Sequence, residues 1–188
     1  MARPGFKRWW TRIIPRAAER STFVILGSSM LVLMFAFWQP MPDVVWHTDG
    51  AAAILMVAMS ALGWLIVLAS TFIIDHFDLF GLRQVFLHFR NRDYTPLPFA
   101  TRYLYRFVRH PLYLGFLVAF WFTPVMTLGH LVLAAGFTVY ILIAVRLEEK
   151  DLVQYHGRAY LAYQDQVPML VPRPGMSVPD SGRSVPSA

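Results

Sequence analysis

Arg109-His110-Pro111-Leu112-Tyr113-Leu114-Gly115 opens an apolar stretch that closes on Leu147-Glu148-Glu149-Lys150-Asp151. A turn midway makes this stretch a pair of antiparallel helices. The hairpin then brings a basic, aromatic cluster and a pair of carboxylates together at one end. In a bilayer that end is a polar pocket at the membrane surface, where a charged cofactor can meet an apolar substrate. The expected fold is all-α: a polytopic membrane helix bundle with about four transmembrane helices and an interfacial helix.

The composition agrees with a membrane chain. Of 188 residues, 56% are hydrophobic and 15% charged, whereas a soluble domain carries about a quarter charged residues. Fifteen Phe, eight Tyr and six Trp give the aromatic load of membrane interfaces. A pI near 10 would suit nucleic acid, but the basic residues sit between apolar blocks. They read as topology signals facing anionic lipid, so the bilayer is the expected partner and nucleic acid is not. The chain has no cysteine, which excludes a disulfide scaffold, a thiolate metal site and a catalytic cysteine.

Four apolar blocks approach the ~17–25 residues needed to cross a bilayer: residues 21–38, 51–74, 111 to about 128, and 131–147. The first follows Lys7, Arg8, Arg12, Arg16 and Arg20, as a signal peptide would. Its run is long and no small-residue cleavage site follows, so an uncleaved anchor is expected. All 17 Lys and Arg fall before the first block, between the second and third, or at and beyond the end of the fourth. By the positive-inside rule both termini and the central loop are cytoplasmic, which requires an even number of crossings. A fifth, through residues 75–90, would break that charge pattern.

The central connection, residues 75–110, is too long to be structureless in a compact domain. Gly81, Gln84 and His88 share one helical stripe in a largely apolar run, which predicts an interfacial or partly inserted helix. Thr95-Pro96-Leu97-Pro98 is a breaker, and residues 103–109 read as a short basic turn of helix. Pro111 suits the first turn of the third helix, where no donor is needed, with His110 at the cap. The fourth helix is expected to continue past the membrane through Gln154. The organisation is then a basic cytoplasmic segment over residues 1–20, a membrane domain over 21–172 and a disordered tail over 173–188.

Three groups carry candidate chemistry, each with a plainer alternative. His110 and Tyr113 stand at a helix N-terminus, whose free N–H groups and dipole favour anions such as an amino-acid carboxylate; otherwise they cap and anchor the helix. Glu148 and Glu149 point about 100° apart on a helix, so they cannot both face one pocket. One can accept from ribose hydroxyls while the other pairs with a cation; the alternative is a solvated, charged helix end. Asp75, His76, Asp78 and Arg83 lie at the edge of the second block, where ionisable groups are costly and lean towards function, unless they only snorkel to water. No two histidines show ligand spacing, so no metal or haem is expected.

Arg109-His110-Pro111-x-Tyr113-x-Gly115, the apolar hairpin, Glu148-Glu149, Gly157-x-x-Tyr160-x-x-Tyr163 and Val167-Pro168 resemble the isoprenylcysteine carboxyl methyltransferase-like membrane methyltransferases over roughly residues 97–172. A narrower likeness covers about residues 38–172. His76-Phe77-Asp78-Leu79-Phe80-Gly81-Leu82-Arg83-Gln84, Tyr94-Thr95-Pro96-Leu97-Pro98-Phe99 and Leu104-Tyr105-Arg106-Phe107-Val108-Arg109 are similar to the bacterial branch that methylates methanethiol. The resemblance implies S-adenosyl-L-methionine as methyl donor and methanethiol, a small thiol, as acceptor, giving dimethyl sulfide. It also implies a bacterial inner-membrane protein with its site facing the cytoplasm. Carried over by motif position, cofactor contacts fall on the backbone of Leu97, Pro98, Phe99 and Ala100, and on Tyr105, Arg109, His110, Pro111, Leu112 and Tyr113. They also include Glu148, with Glu149 replacing it if the register slips by one. In one departure, the isoprenylcysteine enzymes carry a substrate-binding Arg one turn before that glutamate, and Ala144 stands here. An Arg suits a carboxylate; its absence fits a small neutral thiol.

Methyl transfer from a sulfonium is an in-line displacement, favoured by a dry site that holds both partners in line. A free thiol is mostly protonated near neutral pH, since even cysteine has a pKa of about 8.5. His76 or Asp78 is the expected base, with Arg83 lowering the thiol pKa. Two other expectations compete. One is a methyltransferase of the same architecture acting on a larger thiol, a prenylcysteine carboxylate or a lipid. The other is a non-catalytic accessory protein whose motif residues only cap helices.

Overall fold

Three of the four apolar blocks are helical over nearly their whole length, and the third breaks halfway. The computed structural model describes residues 10, 14–15, 18–73, 82–90, 92 and 103–173. Residues 1–39 with 74–97 form one compact unit, and residues 40–73 with 98–188 form a second.

In the first unit, α1 runs Glu19–Ala36 and α3 Leu82–Phe89. The Thr22 hydroxyl donates to the Ala18 and Glu19 carbonyls at 3.0 and 2.8 Å and accepts the Trp10 indole at 3.2 Å. Trp10 also stacks on Phe23. α3 is the described part of the expected interfacial helix. It carries Arg83, and the Arg90 guanidinium lies 5.1 Å from the centre of the Phe86 ring. His76 and Asp78 lie outside the described residues, as do Leu97, Pro98, Phe99, Ala100 and the tail beyond residue 173.

The second unit comprises β1 (Val44–His47), α2 (Gly50–Ile73), a 3-10 turn (Tyr103–Arg106), α4 (Pro111–Trp121), β2 (Val125–Thr127), α5 (Leu128–His156) and α6 (Arg158–Gln166). α2 and α5 are long and apolar enough to cross a membrane, with mean hydropathies of 2.4 and 2.2. Only 11% and 22% of those apolar windows is buried. A helix apolar all round must be buried in a core or face lipid, and these present Ile54, Leu55, Val139 and Ile143 outward.

α2 and α4 cross at backbone distance. A Cβ on Gly63 would sit 2.5 Å from the Ala119 nitrogen, and one on Gly115 would sit 2.8 Å from the Gly63 carbonyl. Small residues permit such approach between apolar helices, where van der Waals packing and interhelical hydrogen bonds drive association. The Ser60 hydroxyl adds one such bond to the Ala119 carbonyl at 2.9 Å. Trp64 packs edge-on against Phe116 and Phe120 beside it.

The third block departs from expectation. α4 ends at Trp121 rather than near residue 128. Pro124 disfavours the helical region at Thr123 and cannot donate to a helix itself. The chain turns at residues 122–124, where the Thr123 N–H donates to the Trp121 carbonyl at 3.1 Å, and enters β2, which pairs antiparallel with β1 through Val44↔Thr127, Trp46↔Met126 and His47↔Val125, with a register irregularity between Val44 and Trp46. This ribbon departs from a purely helical fold. The Trp46 indole fastens it by donating to the Thr123 carbonyl at 3.1 Å.

α5 starts at Leu128 because its first N–H groups find partners there. Leu128 and Gly129 donate to the Asp43 and Met41 carbonyls, and His130 donates to the Thr127 side chain. Its 29 residues span about 43 Å at ~1.5 Å each, well beyond a ~30 Å hydrocarbon layer. The helix thus runs past Gln154 as expected. Gly157, with φ +56° and ψ −130°, turns the chain back into α6. Tyr160, Tyr163 and Val167 are buried there against Leu152 and Val153.

Candidate functional site at the hairpin end

Arg109 is the anchor. Its backbone N–H and that of His110 donate to the Pro168 and Met169 carbonyls at 2.9 and 3.1 Å. The Arg109 Nη1 donates to the Gln164 and Val167 carbonyls at 2.8 and 2.7 Å. Its Nε donates to Glu149 Oε1 at 2.7 Å. The guanidinium therefore binds α5 to the far end of α6, and only 10% of the side chain is exposed. The Tyr163 hydroxyl adds a second tie by donating to the Tyr105 carbonyl.

The two glutamates part company here. Glu149, 14% exposed, takes Arg109 and has His110 Nε2 at 3.2 Å from the same oxygen. Its other oxygen accepts from the Gln164 side-chain amide at 3.2 Å. Glu148 is 36% exposed. Its Oε2 accepts from the Tyr113 hydroxyl at 3.2 Å and lies 4.0 Å from His110 Nδ1. Among the described residues, Oε1 of Glu148 has no partner. The pair thus divides into a braced carboxylate and an accessible one, which spacing alone had left open.

His110 is 6% exposed. Burial holds its imidazole below the ordinary value of 6.5, against the opposing pull of Glu148 and Glu149. Burial first, and the Glu148 charge second, push the Tyr105 phenol up, so it stays neutral near that carboxylate. Pro111 occupies the first helical position and His110 the cap, but the His110 side chain does not cap the helix. The amides of Leu112 and Tyr113 therefore lack side-chain acceptors from the cap.

The structure brings together Tyr105, Arg109, His110, Tyr113, Glu148 and Glu149, with Pro111 and Leu112 on the same helix head. It places Arg83 in the first unit. Gln164 was not singled out from sequence. It follows Glu149 by fifteen residues across a turn, and no local periodicity links the two.

These features define a class: an apolar helical protein with an accessible carboxylate, a neutral imidazole and a phenol gathered at one end of a hairpin. Among similar proteins, one named methanethiol S-methyltransferase from Crocosphaera subtropica is 54% identical over 173 residues, covering 92% of this chain and 68% of that protein. Another, methanethiol S-methyltransferase from Mycobacterium tuberculosis, is 52% identical over 93% of this chain and 72% of its own length. Nurim of Bos taurus is a more distant relative, 29% identical over 81% of this chain and 61% of that protein. The chain belongs to the methanethiol S-methyltransferase family. No protein-family profile matches it, and no solved structure does.

Proposed function

We propose that this chain transfers a methyl group from S-adenosyl-L-methionine to methanethiol, giving dimethyl sulfide. The observation that carries this is Glu148: an accessible carboxylate oxygen beside Tyr113 and His110, in a member of this family. The methyl donor carries an ammonium, a ribose diol and an exocyclic amine, all hydrogen-bond donors. A carboxylate with an unclaimed oxygen fits that chemistry. When bound, the donor supplies a sulfonium methyl to the thiol sulfur.

The protein's own part is to bind, orient and exclude water. Glu148 accepts from the donor's hydroxyl or amino groups, and Tyr113 fixes its rotamer. Free amides at the head of α4 face the amino-acid carboxylate. Leu97, Pro98, Phe99 and Ala100 contribute backbone, and Tyr105, Pro111 and Leu112 shape the wall. Arg109 and Glu149 brace the site rather than touch the ligand. His76 or Asp78 takes the thiol proton, with Arg83 lowering the thiol pKa; the motivation is the sequence cluster.

The membrane arrangement we propose has four crossings, with both termini and the site on the cytoplasmic face of a bacterial inner membrane. The distribution of Lys and Arg supports it. α4, about 16 Å long at ~1.5 Å per residue, is too short to cross alone. Its continuation through a turn at residues 122–124 and β2 supplies the rest, and pairing with β1 satisfies main-chain groups that a non-helical crossing would otherwise leave bare.

Headspace detection of dimethyl sulfide from cells expressing the chain and fed methanethiol tests the reading. Emission should require Glu148. Methylation of longer alkyl thiols or prenylcysteine in preference to methanethiol would refute the acceptor assignment.

A further inference from the structure

Glu149 faces a guanidinium in an uncommon way. The usual pairing is a fork in which both carboxylate oxygens accept from one guanidinium. Here only Oε1 accepts from Arg109, through Nε at 2.7 Å, while Nη1 turns to the Gln164 and Val167 carbonyls. Oε2 accepts instead from the Gln164 amide at 3.2 Å. Gln164 thus draws Oε2 out of the fork. The remaining oxygen, Oε1, is left to serve Arg109 and His110 Nε2 together.

An ionised carboxylate only accepts, so the His110 nitrogen facing it must carry the hydrogen. With Nε2 protonated and the imidazole neutral, Nδ1 is a lone pair. It lies 4.0 Å from Glu148 Oε2. Two acceptors at that separation leave room for a donor group of a ligand to bridge them. In the opposite tautomer, Nδ1–H would point at Glu148 and compete with the ligand for it.

We propose that Gln164 is a positioning residue that sets the tautomer of His110. By holding Oε2 of Glu149 it keeps the imidazole proton on Nε2 and leaves Nδ1 as an acceptor beside Glu148. The proposal rests on the assignment of His110 and Glu148 to the methyl donor.

Gln164→Ala tests it. The substitution frees Oε2 to rotate into the fork with Arg109, and the His110 bond to Oε1 is lost. The fold is retained, because the Arg109 bonds to residues 164 and 167 end on main-chain carbonyls. The unfolding midpoint should move by less than about 4 °C, the shift expected for ~1 kcal/mol in a chain of this size. Nitrogen-15 histidine spectra of the ligand-free protein, with the signal assigned by its loss in His110→Asn, should show Nε2–H alone in the natural chain and a mixture of tautomers in the variant. Calorimetry with S-adenosylhomocysteine should show about fivefold weaker binding, the worth of one hydrogen bond. The KM for the methyl donor should rise while kcat stays within about twofold, as expected for an interaction made equally in the ground and transition states. An unchanged Nε2–H signature in Gln164→Ala, or Nδ1–H in the natural chain, overturns the proposal. If the natural chain binds no S-adenosylhomocysteine yet the tautomer shifts as expected, the positioning role stands and the methyl-donor assignment fails.

Discussion

Alanine at Gly63, Gly115 and Gly136 should give three different outcomes, because the same added carbon meets three different surroundings. At Gly63 it would lie 2.5 Å from the Ala119 nitrogen and 2.8 Å from the Gly115 carbonyl. At Gly115 it would lie 2.8 Å from the Gly63 carbonyl and 2.9 Å from the Val67 nitrogen. At Gly136 nothing lies within 4 Å. Ordinary contact begins near 3.4 Å, so α2 and α4 must separate by about 0.9 Å for Gly63→Ala and about 0.6 Å for Gly115→Ala. The obstacles at Gly63 are all main-chain atoms, and at Gly115 main-chain atoms stand beside the Val67 Cγ2 at 2.9 Å, so rotation of a side chain cannot relieve either contact. Overpacking of this kind costs roughly 1–3 kcal/mol, with Gly63 at the upper end. At Gly136 only the helix propensity changes, a gain of about 0.8–1 kcal/mol. In detergent, tryptophan fluorescence should show the midpoint falling by about 6–12 °C for Gly63→Ala, less for Gly115→Ala, and rising for Gly136→Ala. Gly115→Ala should also weaken S-adenosylhomocysteine binding. Tyr113 lies two residues away, and its 3.2 Å bond to Glu148 has little slack before the ~3.5 Å limit. Equal shifts of one sign at Gly63 and Gly136 would refute the close crossing.

Three further outcomes are expected. Glu148→Gln keeps the shape of the Tyr113 partner but removes the charge; S-adenosylhomocysteine affinity by calorimetry should fall at least about tenfold, the worth of a charged hydrogen bond, and an unchanged affinity would remove Glu148 from the site. Glu149→Ala strands the Arg109 guanidinium and should cost about 3 kcal/mol, more than Glu148→Ala, which leaves no buried charge unpaired; the opposite order of midpoints would contradict the division between the two carboxylates. His110 resists protonation when folded, so between its depressed pKa and 6.5 the unfolded chain binds the extra proton. Its contribution to stability is therefore complete above 6.5 and is lost as pH falls through that window. Midpoints between about pH 7 and pH 5 should fall more steeply in the natural chain than in His110→Asn.

Local chemistry made much of this architecture readable in advance. Pro111 marks the start of α4 because it needs no donor there, and the apolar run before Arg146 foretells a helix that continues through its acids. What could not be read depended on partners distant in sequence. The ribbon needs Val44–His47 to meet Val125–Thr127, and neither run is long enough to announce a strand alone. The early end of α4 had a local sign in Thr123-Pro124, masked by the apolar residues around it. Which glutamate faces outward is decided by Gln164, which reaches Glu149 across the turn at Gly157, and by Arg109, which reaches it across the hairpin.

That fold-back turns on one residue. Gly157 has a φ of +56°, where side chains are rarely tolerated, yet open space where a methyl would go. A replacement there meets a torsional penalty without any clash. α6 would settle at a slightly different angle, carrying its amide away from the braced acid while the tyrosine core stayed intact. Position 157 is therefore a place where a tiny change can weaken ligand binding in a chain that still assembles, so that lost affinity need not announce itself as loss of protein.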